Sequence, residues 1–168
     1  MQSVGNKIKS NVGRWTFSGN TAKNFDIHAN KSIPLYQEGH EIIKNLSHFF
    51  LKDNSICYDL GCSTGTLILS LSKHLKNKKV KFIGLDIQKE MVKIANKKKS
   101  ANFRGSFKCT NIKTYKLKKS DMIISYYFMQ FTSPSIRQNI FNNIYKSLNW
   151  GGAFLLFEKV RSPDARFQ

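Results

Sequence analysis

Short apolar runs alternate with amphipathic stretches along most of this chain, and that alternation limits the folds open to it. Ile56–Tyr58, Val80–Leu85, Phe103–Cys109, Met122–Tyr127 and Ala153–Phe157 have the length of strands. Between them, three apolar sets recur at helical spacing: Leu67, Ile68, Leu71 and Leu75; Met91, Val92, Ile94 and Ala95; and Ile136, Ile140, Ile144 and Leu148. A further amphipathic helix, Leu35–Phe50, precedes the first strand. This rhythm gives βαβ units, which close as a parallel sheet with helices packed on it. Right-handed crossovers then select an α/β fold: a doubly wound, Rossmann-like, mostly parallel sheet flanked by helices. Residues 1–33 carry Trp15, Phe17 and Phe25 among Gly, Asn and Lys with no clean period. They read as a partly ordered N-terminal arm, and 34–168 as the domain proper.

The chemistry concentrates in Asp59-Leu60-Gly61-Cys62-Ser63-Thr64-Gly65, between the first strand and the next helix. Glycine belongs where a backbone turns tightly and approaches a ligand without a Cβ in the way. The second strand ends at Asp86, 25 residues after Gly61. A carboxylate there can accept both hydroxyls of a ribose, as in nucleoside-cofactor sites. The loop has an acid, Asp59, at the strand end and lacks the glycine triad of a dinucleotide fingerprint. That carboxylate repels a diphosphate and attracts an ammonium, so S-adenosyl-L-methionine suits the site better than a dinucleotide. No metal-ligand spacing occurs among His28, His40, His48 and His74, although His28 or His40 could serve as a general base. Tyr36 lies on an apolar helix face, where core packing and cofactor contact are equally open. No catalytic dyad is visible. Chemistry that starts from an activated sulfonium needs mainly positioning.

These residues resemble the class I S-adenosylmethionine-dependent methyltransferases, from about Asn24 onward. Within that superfamily the sequence is most similar to the carboxy-S-adenosylmethionine synthase branch, associated with tRNA wobble-uridine modification. The resemblance is carried by Asn24-Phe25-Asp26, Ser32-Ile33-Pro34-Leu35-Tyr36, Tyr58-Asp59-Leu60-Gly61-Cys62-Ser63, Gln130-Phe131 and Asn149-Trp150-Gly151-Gly152-Ala153. It implies that the N-terminal arm lies over the cofactor site and that Tyr36 reaches back over the cofactor. Gly61, Cys62 and Ser63 would line its methionine portion, Asp86 would take the ribose, and Ile87 would pack by the adenine. Asn111-Ile112 stands where the family has Asp-Ile beside the adenine amine, and Tyr126 where it usually has Asn facing the acceptor. The exchange of Asn for a phenol bears directly on reaction specificity. The cofactor is then S-adenosyl-L-methionine or its carboxylated form. The reaction is methyl transfer to an unidentified acceptor, with the synthase reaction as the alternative. A non-catalytic or RNA-binding remnant of the fold is a third reading. The superfamily ends its sheet with two more strands, and the synthase branch places a carboxylate-binding Arg after strand five. Here the sequence stops at Gln168, just after Arg161–Arg166, so those strands are expected to be missing and strand five to be an apolar edge. The chain then reads as truncated at its C-terminus, or as one whose edge a partner, a second copy of the chain among the candidates, covers.

Composition bounds the rest. A chain of 168 residues is one domain with a single core. No apolar run approaches the roughly 18 residues of a membrane span, and the N-terminus lacks the apolar block of a signal peptide. Cys57, Cys62 and Cys109 form neither a disulfide framework nor a zinc pattern, which points to a reducing cytoplasm. Lys and Arg number 28 against 10 Asp and Glu, for a formal charge of +18. Between Lys73 and Lys119 stand 16 basic residues against Asp86 and Glu90. Such a stripe can attract anionic lipid, an acidic substrate or, weakly and without sequence preference, nucleic acid. A Lys-rich solvated surface is the plainer reading.

Overall fold

The computed structural model describes residues 20–160 and two short strands, Gln2–Ser3 (β1) and Lys9–Ser10 (β2), which pair antiparallel. Helices Asn20–Ser32 (α1) and Tyr36–Phe50 (α2) lead into an alternating series. It runs Ile56–Leu60 (β3), Thr66–His74 (α3), Lys81–Asp86 (β4), Lys89–Lys98 (α4), Gly105–Cys109 (β5), Ser120–Tyr126 (β6), Pro134–Ser147 (α5) and Leu148–Phe157 (β7). The last five strands form one sheet in the order β5-β4-β3-β6-β7, every neighbouring pair parallel. All five apolar runs are strands, and the doubly wound α/β architecture is the one the alternation predicts.

Both faces of the sheet are covered, which is why its strands read as continuous apolar runs. On one face, Ile43 of α2, Leu67, Ile68 and Leu71 of α3 and Val92 and Ala95 of α4 pack on Cys57, Phe82, Met122 and Ile124. On the other, Ile140 and Ile144 of α5 pack on Tyr58, Leu60, Ile83, Leu85 and Ile123. Each of the Val, Leu, Ile, Phe and Met side chains among them contributes roughly 1.5–3 kcal/mol by burial. Local signals fix the helix ends. Glu90 stands in the first turn of α4 and Lys97 and Lys98 in its last, matching the helix dipole. Pro134 opens α5, where its missing N–H costs nothing.

Two elements differ from the sequence expectation. Helix α1 forms inside the segment read as an arm without period. Its buried positions are Ala22 and Ala29, each 2% exposed, flanked by half-buried Phe25 and Ile33. Alanines give a weak hydrophobic signal, so the period is hidden beneath Asn and Lys. Strand β7 begins at Leu148 rather than Ala153. It takes in Trp150-Gly151-Gly152 as a bulge, its partner advancing only from Ser120 to Met122. Trp15, Phe17 and Arg161–Arg166 lie outside the described residues. No helix among the described residues is long and apolar enough to cross a membrane.

Candidate functional site

In an open parallel sheet, ligands bind in the crevice at the carboxyl ends of the strands where the strand order reverses. Here β3 is that point, since its successors β4 and β6 lie on opposite sides of it. A cleft of about 660 Å³ opens there, within the roughly 300–1,000 Å³ of small-molecule sites.

The turn from β3 to α3 forms the floor. Gly61 (φ 72°), Ser63 (φ 48°) and Gly65 (φ 76°) are all left-handed, which folds the chain back on itself within five residues. The N–H groups of Gly61 and Cys62 donate to the Leu85 carbonyl at 2.8 and 3.0 Å. The Ser63 N–H donates to Asp86 Oδ2 at 2.8 Å. Phe128 packs so closely over Gly61 that a Cβ there would overlap its ring. The turn is thereby tied to the end of β4, and the two features singled out in the sequence become one site.

Their carboxylates differ. Asp86 Oδ1 also accepts the Gln88 N–H at 2.8 Å. Burial raises its pKa, against the pull of the Gln88 and Ser63 amides. Each oxygen still has lone-pair capacity for a hydroxyl. Asp59 is 2% exposed. Burial first, then the neighbouring Asp86 charge, pushes it up to about 8. It accepts no hydrogen bond from any described side chain, yet it lines the cleft. A buried carboxyl without a donor is costly to ionise, and a cation entering the cleft supplies the missing partner. The Cys62 thiol is pushed up by burial and by Asp59 and Asp86, so it lines the cleft as a neutral group despite lying near the start of α3.

Aromatic side chains wall the other end. The Tyr126 ring lies 5.2 Å from that of Tyr36 and 4.9 Å from that of Tyr127. The Tyr126 hydroxyl donates to the Tyr36 carbonyl at 2.6 Å. Burial raises the pKa of both Tyr36 and Tyr126, which keeps the phenols protonated. Glu158 accepts the Met129 and Gln130 N–H groups at 2.6 and 3.1 Å and pins the short turn Met129–Phe131 at the rim.

Of the residues singled out in the sequence, Tyr36, Asp59, Gly61, Cys62, Ser63, Asp86, Ile87 and Tyr126 line this cleft. Gly65, Asn111 and Ile112 do not. Gly65 sits beneath the turn against Phe107. Asn111 accepts the Lys113 N–H at 3.0 Å within its own turn, and Ile112 packs into the α5-side core. His28 lines the cleft, whereas His40 is 2% exposed behind it and burial lowers its pKa to about 4.

Asp26 was not singled out as a site residue. It accepts the Thr64 and Thr66 hydroxyls at 2.6 and 3.0 Å and pairs with Lys98 at 2.5 Å. Burial raises its pKa, but the Lys98 and threonine contacts outweigh this and hold it below the usual carboxylate value. Asp26 thus clamps α1 to the start of α3 and the end of α4. Its motif, Asn24-Phe25-Asp26, was visible in the sequence, but nothing local says that it reaches across 38 residues to Thr64. No group of three or more His, Cys, Asp or Glu among the described residues could hold a metal.

Comparison with known proteins gives a consistent result. The family model described as "Methyltransferase domain" matches residues 57–152. A carboxy-S-adenosyl-L-methionine synthase of Staphylococcus epidermidis is 37% identical over 152 residues, covering 89% of this chain and 65% of the relative. Its counterpart in Campylobacter lari is 36% identical over 154 residues, with 91% and 65% covered. The chain thus spans just under two thirds of the length of these curated relatives. Among solved structures, a candidate S-adenosyl-L-methionine-dependent methyltransferase from Methanococcus maripaludis superposes with a TM-score of 0.67 at 25% identity, covering 88% of this chain and 65% of that one. The plantazolicin methyltransferase in complex with SAH gives a TM-score of 0.60 at 21% identity, over 77% of this chain and 49% of that one, which is a likeness of fold. With sheet order, glycine turn and strand-end acid in agreement, the chain belongs to the methyltransferase-domain family.

Proposed function

We propose that the cleft binds S-adenosyl-L-methionine and that the chain contributes this site to a transferase acting on an acceptor at the aromatic end. The observation that carries the reading is the pair of carboxyls facing one cleft with different hydrogen-bond surroundings. Asp59, buried and without a donor, suits the ammonium of the methionine portion. Asp86, anchored by two backbone amides, suits the ribose hydroxyls. Ile87, 59% exposed at the rim, offers an apolar surface for the adenine. Gly61, Cys62 and Ser63 line the space between. When bound, the cofactor supplies an activated sulfonium methyl. The chain itself binds, orients and excludes water, with Tyr36, Tyr126 and Tyr127 as aromatic walls on the acceptor side. Residues 1–33 act in this reading as an arm over the site, and α1 is the part of it that reaches Thr64 and Thr66. Three free thiols fit a reducing cytoplasm.

The synthase reaction, which carboxylates the cofactor's own methyl, is a second reading. It is favoured by the names of the relatives at 36–37% identity and by the Cys62-Ser63 pair. Isothermal calorimetry with S-adenosylhomocysteine tests the common claim. Binding is expected for the native chain, and Asp86→Ala is expected to weaken it at least tenfold. A native chain that binds neither this ligand nor S-adenosylmethionine would remove both readings. Mass spectrometry of the co-purified ligand separates them, since the carboxylated cofactor is heavier by one carboxyl group.

A further inference from the structure

A second depression, about 1,090 Å³, lies between α3 and the loop after α4, on the flank of the sheet away from the aromatic wall. Lys73, Lys76, Lys78, Lys98 and Arg104 line it, with Asp26 as the acidic member among its lining residues. Asp26 is engaged by Lys98. Lys78 Nζ donates to the Leu51 carbonyl at 2.6 Å. The side chains of Lys73, Lys76 and Arg104 make no hydrogen bond or ion pair with any described residue. Of the cations lining this concavity only Lys98 is ion-paired with a described residue, Asp26, so it keeps most of its positive charge uncompensated. Ser70 and Ser72 add hydroxyl donors along one wall. Half-buried Phe103, packed against the core with its ring centroid 5.3 Å from that of Phe107 and 6.2 Å from that of Phe82, lies in the other wall.

We infer that this groove is a docking site for the sugar–phosphate backbone of a single-stranded nucleic acid, bound without sequence preference. Three properties carry the inference. Cations with no protein partner line a concave wall, where their fields reinforce one another and release of condensed counterions drives association. Hydroxyls beside them can bond phosphate oxygens. An aromatic side chain in the same groove can stack on a base, the combination found in single-strand channels. A membrane surface is disfavoured, because the charge lines a recess rather than a flat face edged with apolar side chains. Lys is the main cation here and Arg is scarce, which fits phosphate attraction rather than readout of base edges. Asp26 and Thr66 line both this groove and the cofactor cleft, so the two sites adjoin. The inference is nonetheless independent of the cofactor reading and survives its failure.

Fluorescence anisotropy with a labelled mixed-sequence RNA of about 20 nucleotides, across a salt series, tests it. The native chain is expected to bind and to lose about tenfold in affinity between roughly 50 and 200 mM salt. The variant K73E/K76E/R104E should lose at least tenfold in affinity while keeping its melting temperature and its binding of S-adenosylhomocysteine. Lys98 stays unaltered because it holds Asp26. The control K113E/K116E/K118E makes the same charge change in the exposed segment between β5 and β6, away from the groove, and should lose less than threefold. Should the charge-reversal variant misfold, K73Q/K76Q/R104Q reads out the same comparison. The inference is overturned by absent binding, by equal losses in the groove and control variants, or by equal affinity for polyglutamate or anionic phosphatidylglycerol vesicles.

Discussion

Asp59 and Asp86 are the same residue type at the ends of adjacent strands, yet their surroundings assign them different chemistry. Two amides hold Asp86, whereas Asp59 accepts no hydrogen bond from any described side chain and has a like charge nearby. An Asp59 pKa of about 8, raised from 3.8, has a definite sign for stability. Below pH 4 the carboxyl is neutral in folded and unfolded chains alike. As pH rises from about 4 to about 8, the unfolded chain ionises and the folded one resists, so the native state loses up to about 1.4 kcal/mol per pH unit. Asp59→Asn should therefore melt higher than the native chain at pH 8, with the advantage shrinking toward pH 5. Differential scanning calorimetry at the two values checks this. The same substitution should abolish cofactor binding. In the native chain, affinity should rise up to tenfold per pH unit toward pH 8, then fall as the ligand's own amine, with a pKa of about 7.7–8.0, loses its proton. A flat calorimetric profile between pH 6 and 8 would mean that Asp59 does not meet the ammonium.

At the level of elements, α1 shows how a weakly patterned helix is held. Its buried face is Ala22 and Ala29, too small to anchor it strongly by burial alone. The hydrogen bonds of Asp26 to Thr64 and Thr66 and its ion pair with Lys98 supply the rest. Asp26→Ala should release this clamp. Amide exchange in Asn20–Ser32 is expected to speed up at least tenfold, while exchange in β3, β4 and β6 stays unchanged; hydrogen–deuterium exchange with mass spectrometry resolves the two. Because the Asp26 pKa is depressed, its contribution is full above about pH 4 and fades as pH falls through the lowered value. The clamp should therefore loosen in acid before the sheet does. The existence of α2 and of all five later strands was legible because their apolar residues are large and periodic. That of α1 was not, since its tie to the fold is polar and its partners are remote in sequence.

For the molecule as a whole, charge and sheet edge dominate. The free side of β7 pairs with no described strand, and Leu156, 45% exposed, and Trp150, wholly exposed, lie along it. Unpaired edges of this kind seek another strand. Light scattering coupled to gel filtration should show self-association that grows with concentration, and Leu156→Lys should reduce it. A native chain that stays monomeric at high concentration would show that repulsion at a net charge of +18 outweighs the edge.

By itself the sequence determined the alternation of strand and helix, the parallel sheet, the glycine turn after β3 and the acid at the end of β4. These follow from side-chain period and backbone conformation, which neighbours in the chain dictate. Tertiary structure decided the rest. It brought Asp86 onto the Ser63 amide and buried Asp59 without a donor. It carried Asp26 to Thr64, and it left Asn111 and Ile112 outside the cleft. It also gathered five scattered cations into one groove. Each of these depends on which surfaces meet when the sheet winds, and no local pattern encodes the distance between residues that the chain itself keeps far apart.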